Sequence, residues 1–335
     1  MRPEYCEIYE GKTILITGGG GYIGSALAQA FSNINCNLKL LFSSSGSSWE
    51  PKSNKANVSF IYGDVSNQKI WATILDKVDY VYHLAAVEGS NDLKHEIEVN
   101  SISMLYLLDA CYSKKKVPKI IYASSANIFG NVRTNPVNET FPDYPASTWS
   151  VHKLLAEQYL RVYYKKYKIN SVILRLSNVY GPVPNDNVNN RVVLNKIIDI
   201  GLNGKTLNLY KNHSCVRDYI YIDDVIRAFL LAGGIKDDSC EGQFYVIGSQ
   251  EGYMISDVWK LIAKKVSDKM CKEVKIKMNE TVTLEPMAMR NFISDTSLFN
   301  KMTGWNSIIT LEKGIEATVK GLFGVLSISK NKEKH

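Results

Sequence analysis

Thr13-Ile14-Leu15-Ile16-Thr17, running into Gly18-Gly19-Gly20-Gly21-Tyr22-Ile23-Gly24, is the stretch whose reading decides the fold. The apolar, β-branched residues before Gly18 suit a strand of a parallel sheet covered on both faces. Gly18, Gly21 and Gly24 stand at G-x-x-G-x-x-G spacing, and Ile23, Leu27, Ala28 and Phe31 continue with the apolar period of a helix. A strand that stops on glycines and opens a helix is suited to holding a dinucleotide. One glycine makes the tight turn, one admits the pyrophosphate to the backbone, and one lets the helix pack on the strand, with the phosphates at the helix N-terminus. Glycine triplets occur in many loops; the flanking strand and helix give this one its meaning.

Outward from this turn, short buried-strand patterns recur at Leu38 to Phe42, Val58 to Tyr62, Tyr80 to Leu84, Ile120 to Ser124 and Ser171 to Leu176. Amphipathic segments lie between them, notably Asn100 to Cys111 and Ser150 to Tyr167. This alternation predicts an α/β fold, a doubly wound parallel (Rossmann) sheet with right-handed crossovers and ligands at the carboxyl ends of its strands. After Gly181-Pro-Val-Pro184 the pattern loosens into a helix near Arg191 to Leu202 and a short sheet region, then returns to the core around Tyr219 to Gly233. The second lobe is therefore expected to be smaller and interleaved with the first.

Composition narrows the class. The 335 residues are 45% hydrophobic and 22% charged, enough to bury a full core. The start, Met1-Arg-Pro-Glu-Tyr-Cys-Glu7, is too polar for a signal peptide, and no apolar run reaches the roughly 18 residues of a membrane span, so the chain reads as cytoplasmic and without a membrane partner. Six scattered cysteines, without C-x-x-C or a Cys/His cluster, point to neither a zinc site nor a disulfide scaffold. The net charge of +7 is concentrated in Lys114 to Lys116 and the tail from Lys330. Solvated loops and a frayed end account for it without a nucleic-acid partner, and a positive field favours a small anionic substrate.

Several further motifs fall in order along the chain: Gly63-Asp64-Val65, His83-Leu84-Ala85-Ala86, Asn100, Ser124-Ser125-Ala-Asn-Ile-Phe-Gly130, the helix with Lys153, Arg175-Leu-Ser-Asn178-Val-Tyr-Gly-Pro182, Arg217-Asp-Tyr-Ile-Tyr-Ile-Asp-Asp224 and Gly304-Trp305. With the glycine turn, they resemble the extended short-chain dehydrogenase/reductase family of nucleotide-sugar epimerases, dehydratases and reductases over nearly the whole chain. The resemblance implies a dinucleotide unit over about 1–180 plus 219–250, a nucleotide-sugar lobe over about 181–218 plus 251–325, and a flexible basic tail over 326–335. It implies that Gly18, Gly21, Tyr22, Ile23, Gly24, Leu84, Ala85, Ala86, Asn100 and Ser124 surround the cofactor, with Asp64 and Val65 on the adenine and Lys153 on the nicotinamide ribose. Ser125 aligns with the hydroxyl that meets the reacting sugar oxygen, and His83 reads as a packing residue. Asn178, Asn190, Arg191 and Arg217 align with contacts to the substrate diphosphate, Arg217 by charge-assisted hydrogen bonding, and Arg290 stands near another substrate arginine, out of register with Asp295. The family also implies a homodimer through the helices at Asn100 to Cys111 and Ser150 to Tyr167.

Three departures bear on the reaction. The family's Tyr-x-x-x-Lys reads Trp149-Ser-Val-His-Lys153 here, and an indole N–H donates without accepting and does not shuttle protons. General acid–base catalysis is worth about 10²- to 10⁴-fold, so a replacement is needed; Tyr144, Tyr180, Ser125 or a water relay through the substrate are the candidates, with His152 turned about 100° away on the helix. At the end of the second strand, Ser43 and Ser44 stand where an NAD-selective fold places an acid, which tilts the cofactor modestly toward NADP(H) over NAD(H). After Ser125, Ala126-Asn127 replaces the Asp-Glu pair of the 4,6-dehydratases. The expected function is hydride transfer at C4 of a nucleotide-diphosphate sugar, foremost as an NADPH-dependent 4-keto reductase. An NAD-dependent 4-epimerase and a catalytically idle binding relative are the alternatives.

Overall fold

A computed structural model describes residues 4–43, 49–53, 55–114, 117–236, 242–282, 284 and 286–332. Ser44 lies outside this set, as does the side chain of Asn190. Strands β1 (Thr13–Thr17), β2 (Asn37–Phe42), β3 (Asn57–Tyr62), β4 (Tyr80–His83), β5 (Lys119–Ser125), β6 (Ser171–Leu176) and β7 (Phe244–Ile247) form one seven-stranded sheet. Its order is β3-β2-β1-β4-β5-β6-β7, with every neighbouring pair parallel. Strand order reverses between β1 and β4, so the carboxyl ends of those two strands open a crevice, the usual place for a ligand on such a sheet.

The helices are α1 (Tyr22–Phe31), α2 (Gln68–Ile74), α3 (Leu93–Ile97), α4 (Ser103–Tyr112), α5 (Thr148–Tyr167), α6 (Val193–Leu202), α7 (Ile222–Gly233), α8 (Ile255–Met270), α9 (Ser297–Thr303) and α10 (Leu311–Lys332). One core, with Tyr9, Phe31, Tyr82 and Phe229, packs between the sheet and α1 and α7; another, with Trp71, Leu107, Tyr122 and Leu160, lies under α2, α4 and α5. Residues on both faces of the strands serve both cores at once, which is why β1, β5 and β6 are buried along nearly their whole length, polar positions such as Arg175 included. Helices α6, α8 and α10 pack on one another in the smaller lobe, beside a parallel pair of short strands, Leu207–Leu209 and Ile276–Met278. The seventh strand had no counterpart among the expected strands. Helix α10 continues to Lys332, into the stretch expected as a tail.

Two local devices fix the geometry used below. Ser147 caps α5 reciprocally: its hydroxyl accepts from the Ser150 N–H at 3.2 Å and the Ser150 hydroxyl accepts from the Ser147 N–H at 3.0 Å. That box sets the first turn and so the direction of Trp149, Lys153 and Glu157, which share one helix face at i, i+4 spacing. Asp218, fully buried, is the second device. Its carboxylate accepts from the hydroxyls of Ser177, Ser249 and Ser294 and from the backbone N–H of Ser249, Gln250 and Ser294, tying three loops together. Among the described residues no helix is long and apolar enough to cross a membrane.

Candidate functional site

The crevice beside β1 is a cavity of about 510 Å³ lined by Gly18, Gly20, Gly21, Ser43, Asp64, Val65, Leu84, Ala85, Ala86, Asn185, Asn187, Val188 and Arg191, among others. The glycines are there for want of room. A Cβ on Gly24 would lie 2.0 Å from the Gly18 carbonyl oxygen, and one on Gly18, whose φ is +67°, would lie 2.9 Å from the Ala85 nitrogen. Asp64 shapes the floor by accepting from the Ser66 N–H at 2.8 Å, and Val65 gives its carbonyl to the Trp71 indole at 3.0 Å.

Other residues expected around this cavity act one layer back. Tyr22 donates its hydroxyl to the Gly181 carbonyl at 2.6 Å, and burial raises its pKa far above the ordinary phenol value. Ile23 packs on the core. Asn100, in a π-helical turn (Glu98–Ile102), clamps Val87, accepting from its N–H at 2.9 Å and donating to its carbonyl at 2.6 Å, and so holds the loop after Ala86. Thr17 receives the N–H groups of Leu84 and Ala85. Asn185 was not anticipated: it is buried and donates to the Gly20 carbonyl at 2.8 Å, latching the segment after Pro184 onto the glycine turn. The only available signal was an asparagine able to make an Asx turn just past a Pro-Val-Pro bend, which it does with the Asn187 N–H.

A second cavity of about 520 Å³ is lined by Asn127, Asn178, Arg191, Arg217, Arg290 and an apolar wall that includes Val193, Tyr219 and Trp259. Arg191 lines both cavities. Arg217 and Arg290 are 8% and 4% exposed, and among the described residues neither has a carboxylate within ion-pair distance. Their donors go instead to neutral acceptors: Arg217 to the Ala288 carbonyl at 2.7 Å, Arg290 to the Asn127 side-chain oxygen at 2.6 Å and to the Ala126 and Gly130 carbonyls at 3.3 Å. Burial lowers the pKa of both, and with the nearby Arg217 charge it brings Arg290 down to about 10. Asn178 donates to the Asp218 carbonyl at 2.7 Å.

At the end of β5, Ser125 caps a 3₁₀ turn by accepting from the Asn127 N–H at 3.2 Å. Ser124 turns the other way and donates to Glu157 at 2.5 Å. Glu157 is gripped by Arg175 through two hydrogen bonds, at 2.9 and 2.6 Å, and Arg175 also meets Asp143 at 2.6 Å while its guanidinium lies 3.7 Å from the Phe244 ring centre. The spacing Lys153-x-x-x-Glu157 was the available sign of this buried network. Lys153 is buried; its ammonium donates to the Ala123 carbonyl at 2.8 Å and lies 4.8 Å from the ring centres of both Tyr122 and Trp149. Burial lowers its pKa to about 8, against the attraction of Glu157 and Glu88. His83 bonds Thr17 and Ser103 through its two ring nitrogens, and burial, aided by the Lys153 charge, holds it at about 3.

Of the expected proton donors, Tyr180 is buried with its hydroxyl on the Leu311 carbonyl, and Tyr144 is 69% exposed. His152 is buried with its carbonyl held by Ser101.

Known proteins extend this description. The trifunctional UDP-glucose 4,6-dehydratase/UDP-4-keto-6-deoxy-D-glucose 3,5-epimerase/UDP-4-keto-L-rhamnose-reductase of Arabidopsis thaliana is 27% identical over 326 residues, 93% of this chain and 47% of that protein. The chain therefore spans about half the length of that relative. The dTDP-D-glucose 4,6-dehydratase of Mus musculus is 27% identical over 321 residues, 92% of this chain and 88% of the other. The Bacillus cereus UDP-glucuronic acid 4-epimerase, solved with UDP-glucuronic acid and NAD, superposes with a TM-score of 0.79 at 27% identity, covering 93% of this chain and 99% of that one. Residues 14–248, from the first strand to the end of the seventh, match the NAD dependent epimerase/dehydratase family, and the chain belongs to it.

Proposed function

We propose that this protein is a nucleotide-sugar oxidoreductase that transfers a hydride at C4 of a nucleotide-diphosphate hexose or 4-keto-6-deoxyhexose, foremost as an NADPH-dependent 4-keto reductase. The observation that carries the reading is the pair of buried arginines, Arg217 and Arg290, which have no carboxylate partner among the described residues and stand beside a cavity that shares Arg191 with the glycine-turn crevice. A desolvated cation without a counter-ion is costly, and a diphosphate ligand would supply the missing charge. The apolar wall with Trp259 and Tyr219 suits the flat face of a base.

The cofactor is assigned to the crevice. Gly18, Gly21 and the start of α1 would take its pyrophosphate, Asp64 and Val65 its adenine, and Ala85 and Ala86 the space beside its nicotinamide ribose. When bound, the nicotinamide supplies or accepts the hydride. Ser43 lines the adenosine end with no carboxylate at that position, which supports the phosphorylated cofactor. Ser125 is assigned to the sugar's reacting oxygen. Ala126 and Asn127, the latter spent on Arg290, provide no acid to eliminate water, so dehydration is disfavoured even though the mouse relative is a dehydratase.

One observation favours the 4-epimerase as a second reading. The Asn185 latch closes on the glycine turn, and an epimerase keeps its dinucleotide through the cycle. Denaturing the purified protein and identifying the nicotinamide it releases separates the two. Near-stoichiometric NAD means a retained cofactor and the epimerase; an empty site or NADP, with NADPH oxidation by dTDP-4-keto-6-deoxyglucose, means the reductase; no binding of either dinucleotide means an idle relative. A homodimer through α4 and α5 belongs to the proposal, supported by exposed Tyr112 and Val162 on those helices, and a sedimentation mass of one chain would refute it.

A further inference from the structure

Reducing a ketone requires a proton as well as a hydride, and Trp149 brings none. The Ser125 hydroxyl accepts from the Asn127 N–H and keeps its own proton, but an alcohol gives up a proton far less readily than an ammonium does; His83 stays neutral with both nitrogens engaged. Tyr122 is buried with no partner for its hydroxyl among the described residues, and burial holds its proton firmly. Tyr180 faces the core of the other lobe and Tyr144 faces solvent. Lys153 remains. It is buried at 3% exposure, spends one N–H on the Ala123 carbonyl, and has no acceptor among the described residues for its other two.

We propose that Lys153 is itself the catalytic acid of this protein, its ammonium caged between the rings of Tyr122 and Trp149 and delivering a proton to the sugar oxygen. The proposal rests on the oxidoreductase reading above. In the reduction, the C4 carbonyl carbon would take the hydride that a bound reduced nicotinamide supplies, and the π pair of the C=O bond would move onto oxygen. That oxygen takes a proton from the ammonium, directly or through one water, and the neutral amine is recharged from solvent.

The surroundings set the acidity. Desolvation brings the ammonium to about 8, close to working pH, where a general acid is most effective. The two aromatic faces act the other way, stabilising the charge. Of the charged groups facing it, Glu157 on α5 is neutralised by Arg175, Glu88 projects from the loop after β4, and His83 on β4 carries no charge. On the turn packed against α5, Glu98 pairs with Lys94 at 3.8 Å, and Asn100 and Ser101 are neutral. In relatives a lysine at this position serves a tyrosine; with indole in its place the lysine has the site's transferable proton.

Two measurements test this together. In protein labelled with ¹³Cε-lysine, with Lys153→Arg identifying the resonance, the amine is expected to titrate near 8; a midpoint above 10 overturns the proposal. NADPH oxidation by dTDP-4-keto-6-deoxyglucose is expected to fall as pH rises through that same midpoint, because the acid must be protonated. Lys153→Arg should lower this rate about 10²- to 10⁴-fold and keep NADPH affinity within about threefold, since guanidinium can hold a ribose and does not release a proton. A flat pH profile, or a Lys153→Arg rate above about a tenth of normal, overturns the proposal alone. If Lys153→Arg does not fold, Lys153→Met identifies the resonance in its place, and coincidence of the two wild-type midpoints decides. No oxidation, with NADPH and UDP both bound and a normal titration, rejects the oxidoreductase reading and the proposal with it.

Discussion

Arg175 and the pair Arg217 and Arg290 are all buried, yet they sit in opposite electrical surroundings. Arg175 has Glu157 and Asp143 against it and Phe244 under its guanidinium. Arg217 and Arg290 have carbonyls, an asparagine oxygen and each other. A buried cation with its carboxylates in place is part of the framework, and removing one partner leaves a stranded charge. A buried cation without them is held at a cost by the rest of the fold, and an anion in the adjoining cavity recovers that cost. The difference separates the structural arginine from the two assigned to binding, a distinction that burial alone does not draw.

The largest expected effect breaks the framework side of this contrast. Glu157→Ala should lower unfolding stability by about 3–5 kcal/mol in urea titrations, because Arg175 is left without its main partner. Arg217→Met or Arg290→Met should behave differently: UDP affinity falls by about 1.5–3 kcal/mol in calorimetry, while stability falls by well under the Glu157→Ala loss. Equal destabilisation by all three variants would erase the distinction. Lys153 offers a sharper test of desolvated charge. Its folded pKa, about 8, is below its unfolded value, so the unfolded chain binds more protons between about 8 and 10.5 and stability rises with pH across that window. The wild type should gain on Lys153→Met by up to about 1.4 kcal/mol per pH unit there, and parallel stability curves would refute this. The smallest effect concerns the latch. Asn185→Ala removes one hydrogen bond to the glycine turn and should weaken dinucleotide binding by about 0.5–1.5 kcal/mol, read by nicotinamide fluorescence, without altering UDP affinity.

The two cavities were legible in the sequence to different degrees. The first is made by backbone and by the absence of side chains, so glycine spacing, the small Ala85-Ala86 pair and the strand alternation pointed to it, and Gly18, Gly21, Asp64 and Val65 line the cavity. The second is made by side chains from segments far apart in the chain. Arg217 and Arg290 meet there because the Phe292 N–H bonds the Val216 carbonyl, the Asn291 side chain accepts from the Val216 N–H, and Asp218 ties loops around residues 177, 249 and 294 together, a closure with no local periodicity to betray it. Asn127 was noticed for what it is not, and the structure gives it a partner in Arg290. The strand Phe244–Ile247 is four residues long and runs through Gly248 into a loop with no helix before Ile255, so its pairing with β6 followed from the completed sheet and not from the four residues themselves.

Arg191 borders both cavities, and that placement has a thermodynamic consequence. On the assignment proposed above, the dinucleotide and the sugar nucleotide are two anionic ligands that share this one cation, and they do not bind independently. Whatever factor the dinucleotide imposes on the affinity for the sugar nucleotide, the sugar nucleotide imposes on the dinucleotide, because the four liganded and unliganded states form a closed cycle. Replacing Arg191 therefore changes a single coupling free energy, and titrating the two ligands in either order returns the same value for it.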